Sequence, residues 1–300
     1  MNNENTFKKM LLVYNPRSGK QTIARSLSDI INVFTKGGYD VTCHPTQSKG
    51  DCLEITSKRA SEFDMVVIAG GDGTLNEAVN GFMKAGYSRS FGYIPSGSTN
   101  DFSHSVGIPI RPIDAARTII DGQPMLCDLG CLNDRYFTYV AGFGTLTEVS
   151  YTTPQNFKNI FGFSAYLLEG IAALSQIESF NISFESDVRS GSGEYLLGLV
   201  TNTLHVAGLK NQILPDIKLD DGLFEVLLVK RPKNLRDINT IAAGLLSKKL
   251  DSECIDCFKT TSITISSDTP ISWTLDGENG GKSRLSEIKI HNRAVSVICP

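Results

Sequence analysis

Over the first third of the chain, apolar runs of strand length alternate with apolar stripes at helical spacing. Met10 to Tyr14 predicts a strand, Ile23, Leu27, Ile30, Ile31 and Phe34 form one helical face, and Tyr39 to Cys43 predicts a second strand. A polar helix follows over roughly 49–61. Val66, Val67 and Ile68 lie in a strand at 65–69 that suits burial on both faces. Leu75, Ala78, Val79 and Phe82 then mark a helix from Thr74, whose hydroxyl is placed to cap the first turn. A strand at Phe91–Ile94 and a helix near Pro112–Ile120 complete a βαβ series, which predicts an α/β domain with a mainly parallel sheet.

From about Cys127 the pattern changes to short strands and turns. Asn133-Asp134 between Leu126–Leu132 and Arg135–Val140 reads as a hairpin turn. Runs near 180–186, 194–203, 223–230, 262–266 and 287–299 read as further strands, so the second half is an antiparallel β-rich domain. Two helices interrupt it, one carried by Phe163, Tyr166, Leu167, Ile171 and Leu174, the other by Ile238, Ile241, Ala242, Leu245 and Leu246. The expected division is 1–126 and 127–300, with the last few residues packing back on the first domain.

Composition narrows the function classes. With 41% hydrophobic and 20% charged residues, the chain is globular. Its 29 basic and 32 acidic residues give a net charge of −3, without the electropositive footprint of a nucleic-acid binder. Apolar stretches are broken by charge or glycine before about 18 residues, and the polar Met1–Thr6 is unlike a secretory signal; a cytoplasmic protein is expected. Seven scattered cysteines fit reduced thiols, and Cys254-Ile255-Asp256-Cys257 lacks the partner ligands of a zinc site.

The chemistry is concentrated at Gly70-Gly71-Asp72-Gly73-Thr74, where a buried strand ends in glycines at a helix N-terminus. Free N–H groups and the helix dipole there favour an anion, and missing Cβ atoms let a polyphosphate approach the main chain. A carboxylate among phosphates needs a divalent cation between them or a proton to accept, both of which phosphoryl transfer supplies. The plainer alternative is a tight turn whose Asp72 merely caps. Two further segments fall beyond the carboxyl ends of predicted strands, where parallel sheets bind ligands: Asn15-Pro16-Arg17-Ser18-Gly19-Lys20 and Pro95-Ser96-Gly97-Ser98-Thr99-Asn100-Asp101-Phe102. The first lacks the upstream glycine of a Walker A loop, and Asn76 replaces the third glycine of a dinucleotide fingerprint. Asp220-Asp221-Gly222 and Asp276-Gly277-Glu278 are carboxylate-rich turns bordering strands, each by itself a common hairpin signal.

Taken together, these five ordered motifs resemble the diacylglycerol kinase catalytic-domain family in its bacterial soluble lipid kinase branch, related to sphingosine and ceramide kinases. The Gly-Gly-Asp-Gly element is shared with NAD kinases and resembles one in phosphofructokinases, so it does not identify the acceptor. The resemblance implies an ATP-binding α/β domain, a β-rich second domain and a cleft between them that the lipid enters. It implies ATP contacts from Asn15, Pro16, Ser18, Gly19, Lys20, Gly70, Gly71, Gly73, Thr74, Glu77, Gly97, Ser98, Thr99 and Asn100. Asp72 becomes the base or a base-coupled carboxylate, joined by Asp220 and Glu278 through Mg²⁺ and water. Asp221, with the carbonyls of Lys218 and Leu223, would hold a structural Mg²⁺ or Ca²⁺ through oxygen ligands. A homodimer through the β domain is a family-level expectation.

Two departures stand out. Ser98 replaces the family's usual Thr and keeps the hydroxyl, while His104 stands where many members carry Arg. For a lipid acceptor, Phe157-Lys158-Asn159-Ile160-Phe161-Gly162-Phe163 is the stretch suited to transient contact with a membrane surface, although core packing explains the same aromatics. The expected function is an ATP- and Mg²⁺-dependent lipid kinase that converts diacylglycerol to phosphatidic acid. The alternatives are another acceptor, sphingoid lipid or NAD, and a nucleotide-binding regulator without catalysis.

Overall fold

The computed structural model describes residues 7–19, 22–144, 178–203, 205–206, 209–210, 217–247 and 250–300. Lys20, the Phe157–Phe163 stretch and the helix expected around Phe163–Leu174 lie outside the described residues. The chain divides into two compact units, Met1–Cys127 with Arg293–Pro300, and Asp128–Asn292.

In the first unit, β1 (Lys8–Tyr14), β2 (Tyr39–Pro45), β3 (Met65–Gly70) and β4 (Phe91–Pro95) lie in the order β4, β3, β1, β2. Their pairs are parallel, and Val297 from the end of the chain pairs with Phe91 in the same sense. Met10 to Val13 and Val66 to Ala69 are fully buried, as a sheet covered on both faces requires. The connections are helical: α1 (Thr22–Lys36), α2 (Asp51–Arg59), α3 (Asp72–Ala85), α4 (Asp101–Val106) and α5 (Pro112–Asp121). α3 buries Leu75, Ala78, Val79 and Phe82 on one face. It begins two residues earlier than Thr74, with Gly71 at the cap position and no side-chain cap, so Thr74 does not cap it.

The second unit takes its long strands from β7 (Val140–Gly144), β8 (Phe180–Ser186), β9 (Ser190–Thr201), β12 (Phe224–Lys230), β13 (Ile255–Thr260), β14 (Ser262–Leu275) and β15 (Glu278–Cys299). β5 (Gln123–Leu132) pairs with β6 (Arg135–Phe137) around Asn133, whose φ is 52°, and β10 (His205–Val206) pairs with β11 (Leu209–Lys210). A further helix, α6, spans Leu235–Ser247. The ladders here are antiparallel. A mainly parallel sheet is therefore not a description of the whole molecule: among the described residues parallel pairing is confined to β1–β4 and the Val297–Phe91 contact, where helical crossovers return each strand in the same direction. Phe137, Phe143, Phe224, Ile265, Ile271 and Trp273 form part of the core of this unit.

Candidate active site

The carboxyl ends of β1, β3 and β4 deliver three loops to one place. Asn15 N donates to the Ala69 carbonyl at 2.8 Å and Ser96 N to the Gly70 carbonyl at 2.8 Å, which ties each loop to the neighbouring strand. Ser18 Oγ lies 2.5 Å from Ser96 Oγ, and Asn15 Nδ2 donates to Thr74 Oγ1 at 3.4 Å. At Gly97 a Cβ would stand 2.7 Å from Gly71 Cα, so the second and third loops touch backbone to backbone. The three motifs read from the sequence thus form a single structure.

Asp72 is at its centre, 7% exposed. Its Oδ2 accepts the Thr99 hydroxyl at 3.1 Å and the Asp101 N–H at 3.2 Å, while Oδ1 accepts the Phe102 N–H at 3.4 Å. Burial raises its pKa, and these bonds oppose the shift without cancelling it. Asn100, at φ 52°, turns its amide inward: Oδ1 accepts Gly97 N–H at 2.7 Å and Nδ2 donates to Gly97 O at 3.1 Å. Ser98 and Thr99 are exposed at the loop tip, and Gly73 is half-buried on the first turn of α3. Glu77, expected near the nucleotide, accepts Gly50 N–H at 2.8 Å and so anchors the start of α2.

Two contributors were not anticipated. Thr46 begins the loop after β2 and donates its N–H to Tyr14 O at 2.9 Å, adding the fourth parallel strand's carboxyl end to the same side. The strand order, once known, would have signalled it. Tyr93 is fully buried beneath the glycines, its hydroxyl donating to Gly70 O at 3.1 Å and its ring 6.2 Å from that of Phe102. Read as sequence it is merely an apolar strand residue.

The remaining predicted site residues belong to the second unit. In the 219–223 turn, Asp128 accepts Gly222 N–H at 2.7 Å and donates its own N–H to Leu219 O at 2.7 Å. Asp221 Oδ1 accepts Leu223 N–H at 3.1 Å. Asp220, Asp221 and Leu223 are half-buried, and Lys218 is exposed. Downstream, Glu225 is 3% exposed with Lys259 Nζ 3.1 Å from Oε1. Burial pushes its carboxyl up to about 7, more than Lys259 lowers it, and the charge of Asp221 adds to the rise. Glu278 opens β15 directly after the Asp276-Gly277 turn, half-buried and paired with Leu275.

Donor chemistry can be tested against the implied groups. Lys218 O, Asp221 and Leu223 O offer oxygen only, a donor set that suits Mg²⁺ or Ca²⁺ rather than zinc. Among the described residues no three His, Cys, Asp or Glu side chains cluster as a metal group. The glycine turn at the start of α3, a helix of 14 residues, suits a phosphate chain.

The family profile described as "Diacylglycerol kinase catalytic domain" matches residues 9–132, and that described as "YegS C-terminal NAD kinase beta sandwich-like domain" matches 143–299. A Bacillus subtilis protein named diacylglycerol kinase is 33% identical over 98% of this chain and 97% of its own length. A Staphylococcus epidermidis protein of the same name is 37% identical over 92% of this chain and 87% of its own. A crystal structure provisionally described as a Bacillus anthracis diacylglycerol kinase aligns over 98% of both chains with a TM-score of 0.82 at 27% identity.

Proposed function

This chain belongs to the diacylglycerol kinase family, phosphotransferases acting on an alcohol acceptor, and on that premise we infer that it is an ATP- and Mg²⁺-dependent lipid kinase converting diacylglycerol to phosphatidic acid. The observation that carries the reading is the fixed, buried Asp72 carboxylate set beside a glycine turn at a helix N-terminus.

In this reading the loops 15–19, 70–74 and 96–100 bind ATP, with Lys20 adding its cation to the first. Main-chain N–H groups at the start of α3 face the phosphates, and the Gly71–Gly97 contact holds two of the loops in register. By resemblance to the family, Asp72, Asp220 and Glu278 are the carboxylates assigned to the transfer; one of them would take the proton from the acceptor hydroxyl, and their oxygens would serve the catalytic Mg²⁺ directly or through water. When bound, the cation neutralises developing charge on the phosphate oxygens. Asp72 is suited to its part because its hydrogen bonds orient the carboxylate before substrate arrives, so positioning costs nothing during reaction. Asp221 with the Lys218 and Leu223 carbonyls would hold the structural cation. Among the described residues no helix is long and apolar enough to cross a membrane. In this reading the lipid is met at the membrane surface in transient contact.

The test is transfer of the labelled γ-phosphate of ATP, with Mg²⁺, to diacylglycerol in mixed micelles, beside sphingosine, NAD and a no-acceptor control. Labelled phosphatidic acid supports the reading. The NAD kinase-like description of the C-terminal domain motivates the second reading, a soluble acceptor, which transfer to NAD without detergent would favour. ATP binding with no transfer to any acceptor would leave a regulator.

A further inference from the structure

Asp276 and Gly277 form the two-residue turn between β14 and β15, with φ of 49° and 82°, the paired positive angles of a type I′ hairpin. Such a turn is self-sufficient. Asn fits its first position as well as Asp does, and no charge is needed there. Yet Asp276 is only 3% exposed, and removing a carboxylate from water is costly unless it is fully hydrogen-bonded.

The bonds are present, and they leave the hairpin. Asp276 Oδ2 accepts the Thr138 N–H at 2.7 Å and the Thr138 hydroxyl at 2.9 Å. Oδ1 accepts the N–H groups of Tyr139 at 2.9 Å and Val140 at 3.1 Å. The Asp276 N–H donates to Val140 O at 2.9 Å, so the turn is strapped in both directions. Three consecutive backbone donors thus converge on one carboxylate. The strapped segment is itself anchored, since Asn202 N–H donates to Tyr139 O at 3.0 Å at the end of β9.

Glu278 is the first residue after this turn. We propose that Asp276 is a positioning residue for Glu278: by clamping the hairpin turn to the Thr138–Val140 backbone, it sets where the Glu278 carboxylate stands. The proposal rests on the reading of Glu278 as a carboxylate of the transfer site. It explains why an ionisable group is buried in a turn that would close without one. Small displacements of a reacting group cost large factors in rate, so a rigid clamp at this point has a kinetic rather than merely a structural return.

The experiment is a double-mutant cycle in the full chain, measuring kcat, KM for ATP and melting temperature for Asp276→Asn, Glu278→Ala and the double variant. Phosphoryl transfer to diacylglycerol is the assay. The amide supplies one acceptor oxygen in place of two, so Asp276→Asn is expected to lower kcat about tenfold or more with KM for ATP within about twofold. Glu278→Ala is expected to cost about a hundredfold, and the double variant to be no slower than Glu278→Ala alone. Additive losses would make Asp276 a fold element and overturn the proposal, as would an Asp276→Asn enzyme at the wild-type rate. A Glu278→Ala enzyme at the wild-type rate overturns the reading of Glu278 itself, and the proposal with it. Should Asp276→Asn fail to fold, Thr138→Val decides, since it removes only the hydroxyl bond to Oδ2. A kcat loss of about threefold, absent in the Glu278→Ala background, supports the clamp; an unchanged kcat overturns it.

Discussion

The carboxylate of Asp72, the first residue of α3, accepts the backbone N–H of Asp101, the first residue of α4, at 3.2 Å. Asp72 does act as a cap, but for a helix 29 positions downstream rather than for its own. Its bonds to Thr99 and Phe102 complete a bridge between the loops that follow β3 and β4. The cap and the catalytic candidate are therefore one group, so its substitutions have two separable effects.

Asp72→Asn should lower turnover by roughly a hundredfold or more, the usual scale for removing a general base. It should also lose about 1 kcal/mol of stability, because an amide offers one acceptor oxygen to three donors that now share two. Chemical denaturation beside the kinase assay separates the two. Wild-type turnover in a measurably destabilised variant would reduce Asp72 to its capping role.

The pH profile follows from the same carboxylate. Burial outweighs its hydrogen bonds and raises the pKa from the ordinary 3.8. A base must be ionised to accept a proton, so the acid limb of kcat/KM should be displaced upward from the ordinary aspartate value. For stability the sign is opposite: the contribution of this group is fully present below the unfolded pKa and is lost as pH rises through the higher folded value. An acid limb at or below the ordinary value would mean that a group other than Asp72 limits kcat/KM, which reports the free enzyme.

Gly97→Ala tests the contact between loops. Its Cβ would meet Gly71 Cα at 2.7 Å and Asn100 Oδ1 at 3.0 Å, both in backbone or tightly bonded groups with little room to give. Overpacking of this kind typically costs about 1–3 kcal/mol. Because the displaced atoms belong to the loops proposed to bind ATP, the Kd for ATP should rise about tenfold, which isothermal titration checks. Unchanged ATP affinity would place the nucleotide elsewhere.

Much of the first unit was legible because its signals are local. The apolar run at Val66–Ile68 and the stripe Leu75, Ala78, Val79 and Phe82 each point to one element, and all seven side chains are buried. The second unit was read less well. β13 was missed because Asp256 and Lys259 obscure its alternation, and Asp256 is in fact 5% exposed, paired with Tyr195 at 2.7 Å and Arg189 at 2.9 Å. The candidate site shows the same limit. Glycine motifs announce themselves, whereas Asp128, Tyr93 and Glu225 matter through partners 94, 23 and 34 positions away, by separations that no local pattern encodes.

Asp221 should report on the cation without reference to turnover. Its carboxylate shares the 219–223 turn with Leu223, whose N–H it accepts at 3.1 Å, and its charge already disfavours ionisation of the buried Glu225. A divalent cation held there relieves both charges, so Mg²⁺ should raise the melting temperature of the wild-type chain, by the equivalent of about 2.7 kcal/mol at a hundredfold excess over its Kd. Asp221→Ala should abolish most of that increment and still bind ATP, because the loops proposed to bind ATP belong to the other unit. Scanning calorimetry with Mg²⁺ and with EDTA decides between structural and purely catalytic metal. A variant stabilised by Mg²⁺ as strongly as the wild type would remove the ion from this turn and leave Asp221 as a turn residue bonded to Leu223.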